Sequence, residues 1–231
     1  MLLKAMLSRF FRPRQIWWPT FLGWLILVIV FLAPLMGWFF GGENFLATTR
    51  REVSEVLVVE GWIGYEGVEA ARKEFEQGGY RLIVTAGGPT NNVWGRQKWN
   101  YAVLAREHLI RLGVQPDQVL EAPIQYSESH RTFESAAEVV RTLQAHNRHP
   151  SAINIFTAGP HARRSRLVYA KAFASETKVG VIAWVSPMQP PGAWWQSSER
   201  ASSLLKETAA WLFELLLNSG RSSNSIDPKT S

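Results

Sequence analysis

The sequence predicts an α/β protein: a Rossmann-like, doubly wound parallel sheet of about five strands, preceded by one N-terminal transmembrane helix. Three observations lead to this fold class. Short apolar runs of β type alternate with helical segments, glycines follow several of these runs, and a long uncharged apolar segment lies near the N-terminus. Alternating strands and helices form βαβ units, and their right-handed crossovers cover both faces of a parallel sheet.

The first element is a segment without charged residues, residues 15–42. Its apolar part, residues 17–40, is ~36 Å long as a helix, which is enough to cross a bilayer. Tryptophans and phenylalanines lie at its ends, as in interfacial aromatic belts. A cleaved signal peptide is the alternative, but its apolar core is usually about 7–15 residues long and ends at small residues. We therefore predict a retained membrane helix in contact with the lipid bilayer.

Four basic residues precede this segment, and the chain that follows it is nearly neutral. The positive-inside rule then predicts a single-pass protein with its N-terminus in the cytoplasm and its α/β domain on the extracytoplasmic, periplasmic side. The predicted organisation is a basic cytoplasmic N-terminus at 1–16, the membrane helix at 17–40, a linker at 41–53, the α/β domain at 54–217 and a disordered polar tail at 218–231.

Within the domain, the elements follow from β-rich apolar runs and from apolar residues at helical spacing. Strands are predicted at residues 54–60, 81–85, 118–122, 152–157 and 179–185. Helices are predicted at residues 67–77, 94–112 and 132–146, from about residue 161 onward, and at residues 199–217. The last helix is very apolar, so it either covers the domain or contacts the bilayer or a protein partner.

Composition excludes several kinds of site. The chain has no cysteine, which excludes disulfides, thiolate metal sites and a cysteine nucleophile. Asp117 and Asp227 are its two aspartates, which disfavours magnesium-dependent phosphoryl transfer, and no metal site is predicted. The net charge is +6, but four of the 25 basic residues lie before residue 15 and the rest of the chain is nearly balanced. A nucleic-acid partner is therefore not expected.

The strongest candidate site lies at the predicted helix start after the fourth strand, which carries His161, Arg163, Arg164 and Arg166. The positive end of the helix dipole disfavours cations at this position. The same helix end offers free N–H groups, so basic side chains there indicate an anion such as phosphate or carboxylate between them. The alternative is that individual arginines point to water or pair with nearby glutamates.

Other polar and glycine residues fall at the same edge of the predicted sheet, where ligands of such folds bind. The predicted ligand-binding residues are Gly61, Gly87, Gly88, Arg131, Thr132, Ser135, Thr157, His161, Arg163 and Arg164. The glycines either give a ligand access to the backbone or form tight turns. His161 and Glu60 are candidates for acid–base catalysis, and a hydrogen-bonding role is equally consistent with the sequence.

The order of these motifs resembles the YdcF/SanA/ElyC-like family, whose domain has no known function and is often tethered by one membrane helix. The matching motifs are Glu60-Gly61-Trp62, Gly87-Gly88, Arg131-Thr132 with Ser135-Ala136, and Thr157 with His161 and Arg164; the stretches HARRSR and WWxSSE are similar to one subgroup. The resemblance implies a Rossmann-like fold and a role in envelope integrity or in peptidoglycan or lipid-carrier metabolism. For one member it implies S-adenosylmethionine binding.

Three functions are consistent with these observations. The first is a membrane-anchored envelope protein whose domain binds an anionic small molecule or a lipid-linked phosphate. The second is a non-catalytic envelope assembly factor that contacts protein partners through its C-terminal helix. The third is an enzyme that binds a nucleotide or S-adenosylmethionine; the resemblance alone suggests that cofactor, and nothing else in the sequence requires one.

Overall fold

A computed structural model describes residues 19–90, 99–125, 130–173, 177–189 and 192–216. Gly41 and Gly42 mark the boundary between two compact units. Helix α1, Phe21–Leu46, is long and apolar enough to cross a membrane. It continues beyond the predicted end at residue 40, and its last residue, Leu46, is fully buried. The predicted start at residue 17 lies outside the described residues.

The second unit contains a sheet whose described strands number five, all parallel, in the order β3-β2-β1-β4-β5. The strands are β1 Val56–Glu60, β2 Leu82–Gly87, β3 Val119–Pro123, β4 Ala152–Ala158 and β5 Lys178–Trp184. The predicted fold class, a doubly wound α/β domain after an N-terminal apolar helix, is confirmed.

The helices that connect these strands are α2 Gly64–Gln77, α3 Tyr101–Arg111, α4 Arg131–Ala145 and α5 Ala162–Ala172, and α6 Ser198–Leu216 follows β5. Helix α3 begins later than predicted because Asn100 caps it: its side-chain oxygen accepts from the backbone N–H of Ala102 at 2.9 Å. Residues 94–98 of the predicted helix lie outside the described residues. A short 3₁₀ helix, Trp194–Gln196, precedes α6.

Two apolar layers cover the sheet. Leu57 and Val59 of β1 point to the layer that contains α2 and α3, whereas Val56 and Val58 point to the layer that contains α4 and α5. Burial of each such side chain stabilises the fold by about 1.5–3 kcal/mol. Because β1 is buried on both faces, its residues before Glu60 are all apolar and do not alternate between apolar and polar.

The chain that leads into β1 is held against the edge of the sheet. Arg50 exchanges two backbone hydrogen bonds of 2.7 Å with Val181 of β5. Asn154, buried in β4, donates to the carbonyl of Glu52 and accepts from its N–H, both at 2.8 Å. The two bonds at Val181 pair backbone groups of the edge strand β5 that would otherwise be unpaired.

Candidate functional site

The candidate site is a cleft at the switch point of the sheet. Neighbouring strands β1 and β4 lead to α2 and α5, which pack on opposite faces. Doubly wound sheets bind ligands at such a point, beyond the carboxyl ends of the strands. The cleft has a volume of ≈ 1300 Å³, and its walls include the end of β1 and the starts of α3, α4 and α6.

Glu60 forms the buried base of the cleft. Its carboxylate is 3% exposed and ends β1. Ser165 donates to Oε1 at 2.9 Å and the Trp62 indole N–H donates to Oε2 at 3.2 Å. The hydroxyl of Thr157 also donates to Oε2. Three donors from β4, α5 and the turn after β1 compensate the carboxylate for the loss of water.

His161 lies between two carboxylates. Its Nε2 is 3.4 Å from Oε2 of Glu60, and its Nδ1 is 3.1 Å from Oε1 of Glu207 and 2.9 Å from Nη2 of Arg164. When the ring is neutral with its proton on Nε2, that proton faces Glu60 and Nδ1 accepts a hydrogen bond from Arg164. When the ring carries both protons, Nδ1–H donates to Glu207. Both ring nitrogens of His161 therefore face polar partners of the cleft.

Arg164 joins three elements of the cleft. Its Nε and Nη2 donate to Glu207 of α6 at 2.7 and 3.2 Å, a two-pronged ion pair. Its Nη1 donates to the hydroxyl of Thr132 in α4 at 3.0 Å. The Arg164 and Glu207 side chains are 14% and 6% exposed. Helix α6 is therefore attached to α4 and α5 through a nearly buried charge pair.

The other basic residues of the predicted cluster lie elsewhere. Arg163 is not part of the cleft wall: its guanidinium carbon lies 3.7 Å from the centre of the Phe45 ring, and its Nε donates to the Phe45 carbonyl at 2.6 Å. Arg166 donates to the carbonyl of Val179 at 2.9 Å. Neighbouring helix positions point about 100° apart, so the basic residues of this run contact different parts of the protein.

The predicted glycines have mainly a packing role. A Cβ on Gly61 would lie 2.2 Å from the carbonyl oxygen of Tyr101, and one on Gly87 would lie 2.8 Å from the Cβ of Tyr101. Both glycines thus let the start of α3 approach the sheet closely. Gly87 and Gly88 also line the cleft, whereas Gly61 and Thr157 do not.

The start of α4 borders the cleft with exposed cationic and polar groups. Arg131, Thr132 and Ser135 line the cleft, and Arg131 is exposed. The preceding residue, His130, adopts a left-handed conformation with φ of 57°, and its own side chain does not cap the helix. Phe133 and Glu134 donate their backbone N–H groups to the carbonyl of His130 at 2.9 and 3.1 Å, so the helix begins with a hydrogen-bonded turn.

Glu207, Lys206, Ser165 and Trp62 belong to the site but were not among its predicted residues. Glu207 had a signal in the sequence: it interrupts an otherwise apolar helix, and a buried carboxylate requires a partner. Glu214, seven positions later, is also buried, and its carboxylate lies 2.9 Å from Nζ of Lys171. Residues seven positions apart lie on the same side of a helix, so Glu207 and Glu214 mark the face of α6 that packs on α5.

The chain was also compared with known proteins. No protein-family model and no curated protein matches it. Its resemblance to the YdcF/SanA/ElyC-like family therefore stays a prediction. No group of three or more His, Asp or Glu side chains within the described residues is arranged to hold a metal ion.

The acid stability of the domain depends in part on Glu207. Burial raises the pKa of Glu207, but the hydrogen bonds and charges of His161 and Arg164 outweigh this effect and hold the pKa well below its ordinary value of 4.5. A carboxylate with a depressed folded pKa stabilises the protein above its unfolded pKa, and this stabilisation is lost as the pH falls toward the folded value.

We therefore expect the free energy of unfolding to decrease as the pH is lowered below about 4.5, and to decrease less in Glu207→Gln. Urea unfolding of both proteins at roughly pH 7 and pH 3.5 measures the difference. An equal loss in the two proteins would show that Glu207 is not a source of the acid sensitivity.

Proposed function

We propose that this is a membrane-anchored protein of the cell envelope whose α/β domain binds an anionic ligand, phosphate-bearing or lipid-linked, in envelope biogenesis or integrity. The N-terminus is cytoplasmic and the domain lies on the extracytoplasmic side, as the charge distribution around the apolar helix predicts. An apolar helix that is able to span a membrane supports the anchoring. The family resemblance supports the envelope role.

The observation that carries the ligand proposal is a set of cations around the switch-point cleft. Arg131 and Lys206 are exposed at its wall, and within the described part of the chain neither has an ion-pair partner. Arg164 lies deeper in the same cleft, and the start of α4 borders it. Cations beside a helix N-terminus favour an anion.

The apolar part of the cleft fits the lipid-linked form of such a ligand. Trp62, Met188 and Phe213 line the cleft and are 41%, 78% and 42% exposed. Exposed apolar side chains beside cations match a ligand with an anionic group and an apolar chain. A polyprenyl monophosphate has this chemistry.

We expect full-length protein in detergent micelles to unfold at a higher temperature with a polyprenyl monophosphate, pyrophosphate or inorganic phosphate. Arg131→Gln is expected to weaken this binding about tenfold, because a charge-assisted hydrogen bond is lost. Intrinsic tryptophan fluorescence during heating measures the shift, with nucleotides and S-adenosylmethionine as further probes. Arg148→Gln, an exposed arginine outside the cleft, is the matched control.

The results separate the proposed function from its alternatives. A shift with S-adenosylmethionine or a nucleotide alone would contradict the proposal and indicate a cofactor-binding enzyme. Lack of a shift with any probe would also contradict it and favour an assembly factor. The observation that supports an assembly factor is the exposed apolar face of α6, where Leu205, Leu212 and Leu216 are 64%, 40% and 74% exposed.

A further inference from the structure

Glu207 presents its carboxylate to Arg164 and His161 at the wall of the cleft. Two nitrogens of Arg164 hold its carboxylate at 2.7 and 3.2 Å, and Nδ1 of His161 lies 3.1 Å from the same group. This two-pronged geometry is the one by which arginine recognises carboxylates and phosphates. The carboxylate of the protein thus imitates a bound oxyanion.

Stability alone does not account for this charge pair. Glu207 lies on the packed face of α6 beside Leu204, which is 1% exposed. Buried ion pairs can often be replaced by apolar side chains of similar volume without loss of stability. A helix that merely covered α5 would therefore function with an apolar residue at this position, so the pair fits a binding role.

The charges around Arg164 also fit an exchange of anions. The carboxylates of Glu60 and Glu207 already face Arg164 and His161, so an additional anion would find no unpaired cation there. A ligand that replaces Glu207 leaves the number of anionic groups beside Arg164 unchanged. Thr132 accepts from Arg164 through its oxygen, and among the described residues its hydroxyl proton bonds no acceptor.

The surroundings allow Glu207 to leave. Glu207 borders the cleft, so a change of its side-chain rotamer moves the carboxylate into the open space. Helix α6 stays attached through Lys171, whose Nζ lies 2.8 Å from the carbonyl oxygen of Glu214 and 2.9 Å from its carboxylate. Release of the ion pair between Arg164 and Glu207 therefore does not detach α6.

We infer that Arg164, His161 and Thr132 form a binding seat for a phosphate group, and that Glu207 fills this seat until a ligand displaces it. The inference rests on the proposed function and extends it, because it assigns the position of the anion and makes Glu207 an internal competitor.

The test compares Glu207→Gln with Glu199→Gln in full-length protein in detergent micelles, by calorimetric titration with inorganic phosphate. Both variants remove one negative charge from the cleft, but Glu199 is exposed and lies outside the seat. Glu207→Gln is expected to bind phosphate at least about tenfold more tightly than the wild type, and Glu199→Gln to stay within about threefold.

Glu207→Asp provides a second, independent comparison. It keeps the charge but draws the carboxylate back from Arg164, so binding of phosphate is again expected to tighten, by about threefold or more. A second titration with a short-chain polyprenyl monophosphate identifies the source of the phosphate group. Tighter binding of this lipid than of inorganic phosphate indicates a lipid headgroup, and equal binding indicates free phosphate.

The outcomes distinguish the seat from the proposed function. If the wild type binds either probe and neither Glu207 variant binds it more tightly, the seat is refuted and the proposed function stands. If Glu199→Gln tightens binding as much as Glu207→Gln, the loss of any negative charge in the cleft explains the effect and the seat is refuted. If neither the wild type nor the Glu207 variants bind either probe, both proposals are refuted.

Discussion

Replacing Arg164 with methionine is expected to lower the free energy of unfolding by about 3–5 kcal/mol, because it leaves the carboxylate of Glu207 buried without its cation. The Arg164 and Glu207 side chains are 14% and 6% exposed, so Glu207 regains water only by rotating out of its packed position. The hydrogen bond to Thr132 is lost as well. Urea unfolding followed by tryptophan fluorescence measures the change.

Arg163→Met is the matched control, since it changes the neighbouring residue in the same way. Arg163 stacks on the ring of Phe45 and lies outside the cleft. Loss of such a cation–π contact is expected to cost about 1 kcal/mol or less. An Arg164→Met protein as stable as Arg163→Met would contradict the assignment of Arg164 to a structural ion pair with α6.

Gly61→Ala is expected to destabilise the domain by about 3 kcal/mol or more. The new Cβ would lie 2.2 Å from the carbonyl oxygen of Tyr101 and 2.7 Å from its carbonyl carbon. Both are backbone atoms at the start of α3, so the clash cannot be relieved by rotation of a side chain. The helix must move away from the sheet, which also disturbs the cleft wall at Gly87. Thermal unfolding measures the loss.

Gly88→Ala is the control for this second substitution. Its Cβ would meet the side chain of Ile124 at 3.1 and 3.2 Å, and this flexible side chain can move aside. The expected loss is about 1 kcal/mol or less. Equal stability of Gly61→Ala and the wild type would mean that α3 does not pack on Gly61 as described.

The ends of the elements were less predictable than their types. The run of residues 54–60 indicated a strand because it is short and rich in valine, and β1 is Val56–Glu60. Helix α1 extends to Leu46, past two glycines that were expected to lie in a linker. Leu46 is fully buried, and a tertiary contact of this kind outweighs the low helix propensity of glycine.

The composition of the site was predictable only from topology. Glu60 ends β1, Thr132 follows β3, and His161 and Arg164 follow β4. Because the carboxyl ends of parallel strands share one edge, the sequence places these residues near one another. The partner of Arg164 could not be derived in this way. Glu207 lies 43 positions later in a helix, and its contact depends on how α6 packs.

The sequence by itself determined the apolar N-terminal helix, the alternation of strands and helices, and hence the edge at which polar residues meet. Local patterns suffice for these features, because burial and backbone geometry repeat along each element. Only the tertiary structure decided that Arg164 faces Glu207 while Arg163 lies on Phe45. The direction of a charged side chain depends on the nearest opposite charge or ring in space, and packing alone brings that partner into reach.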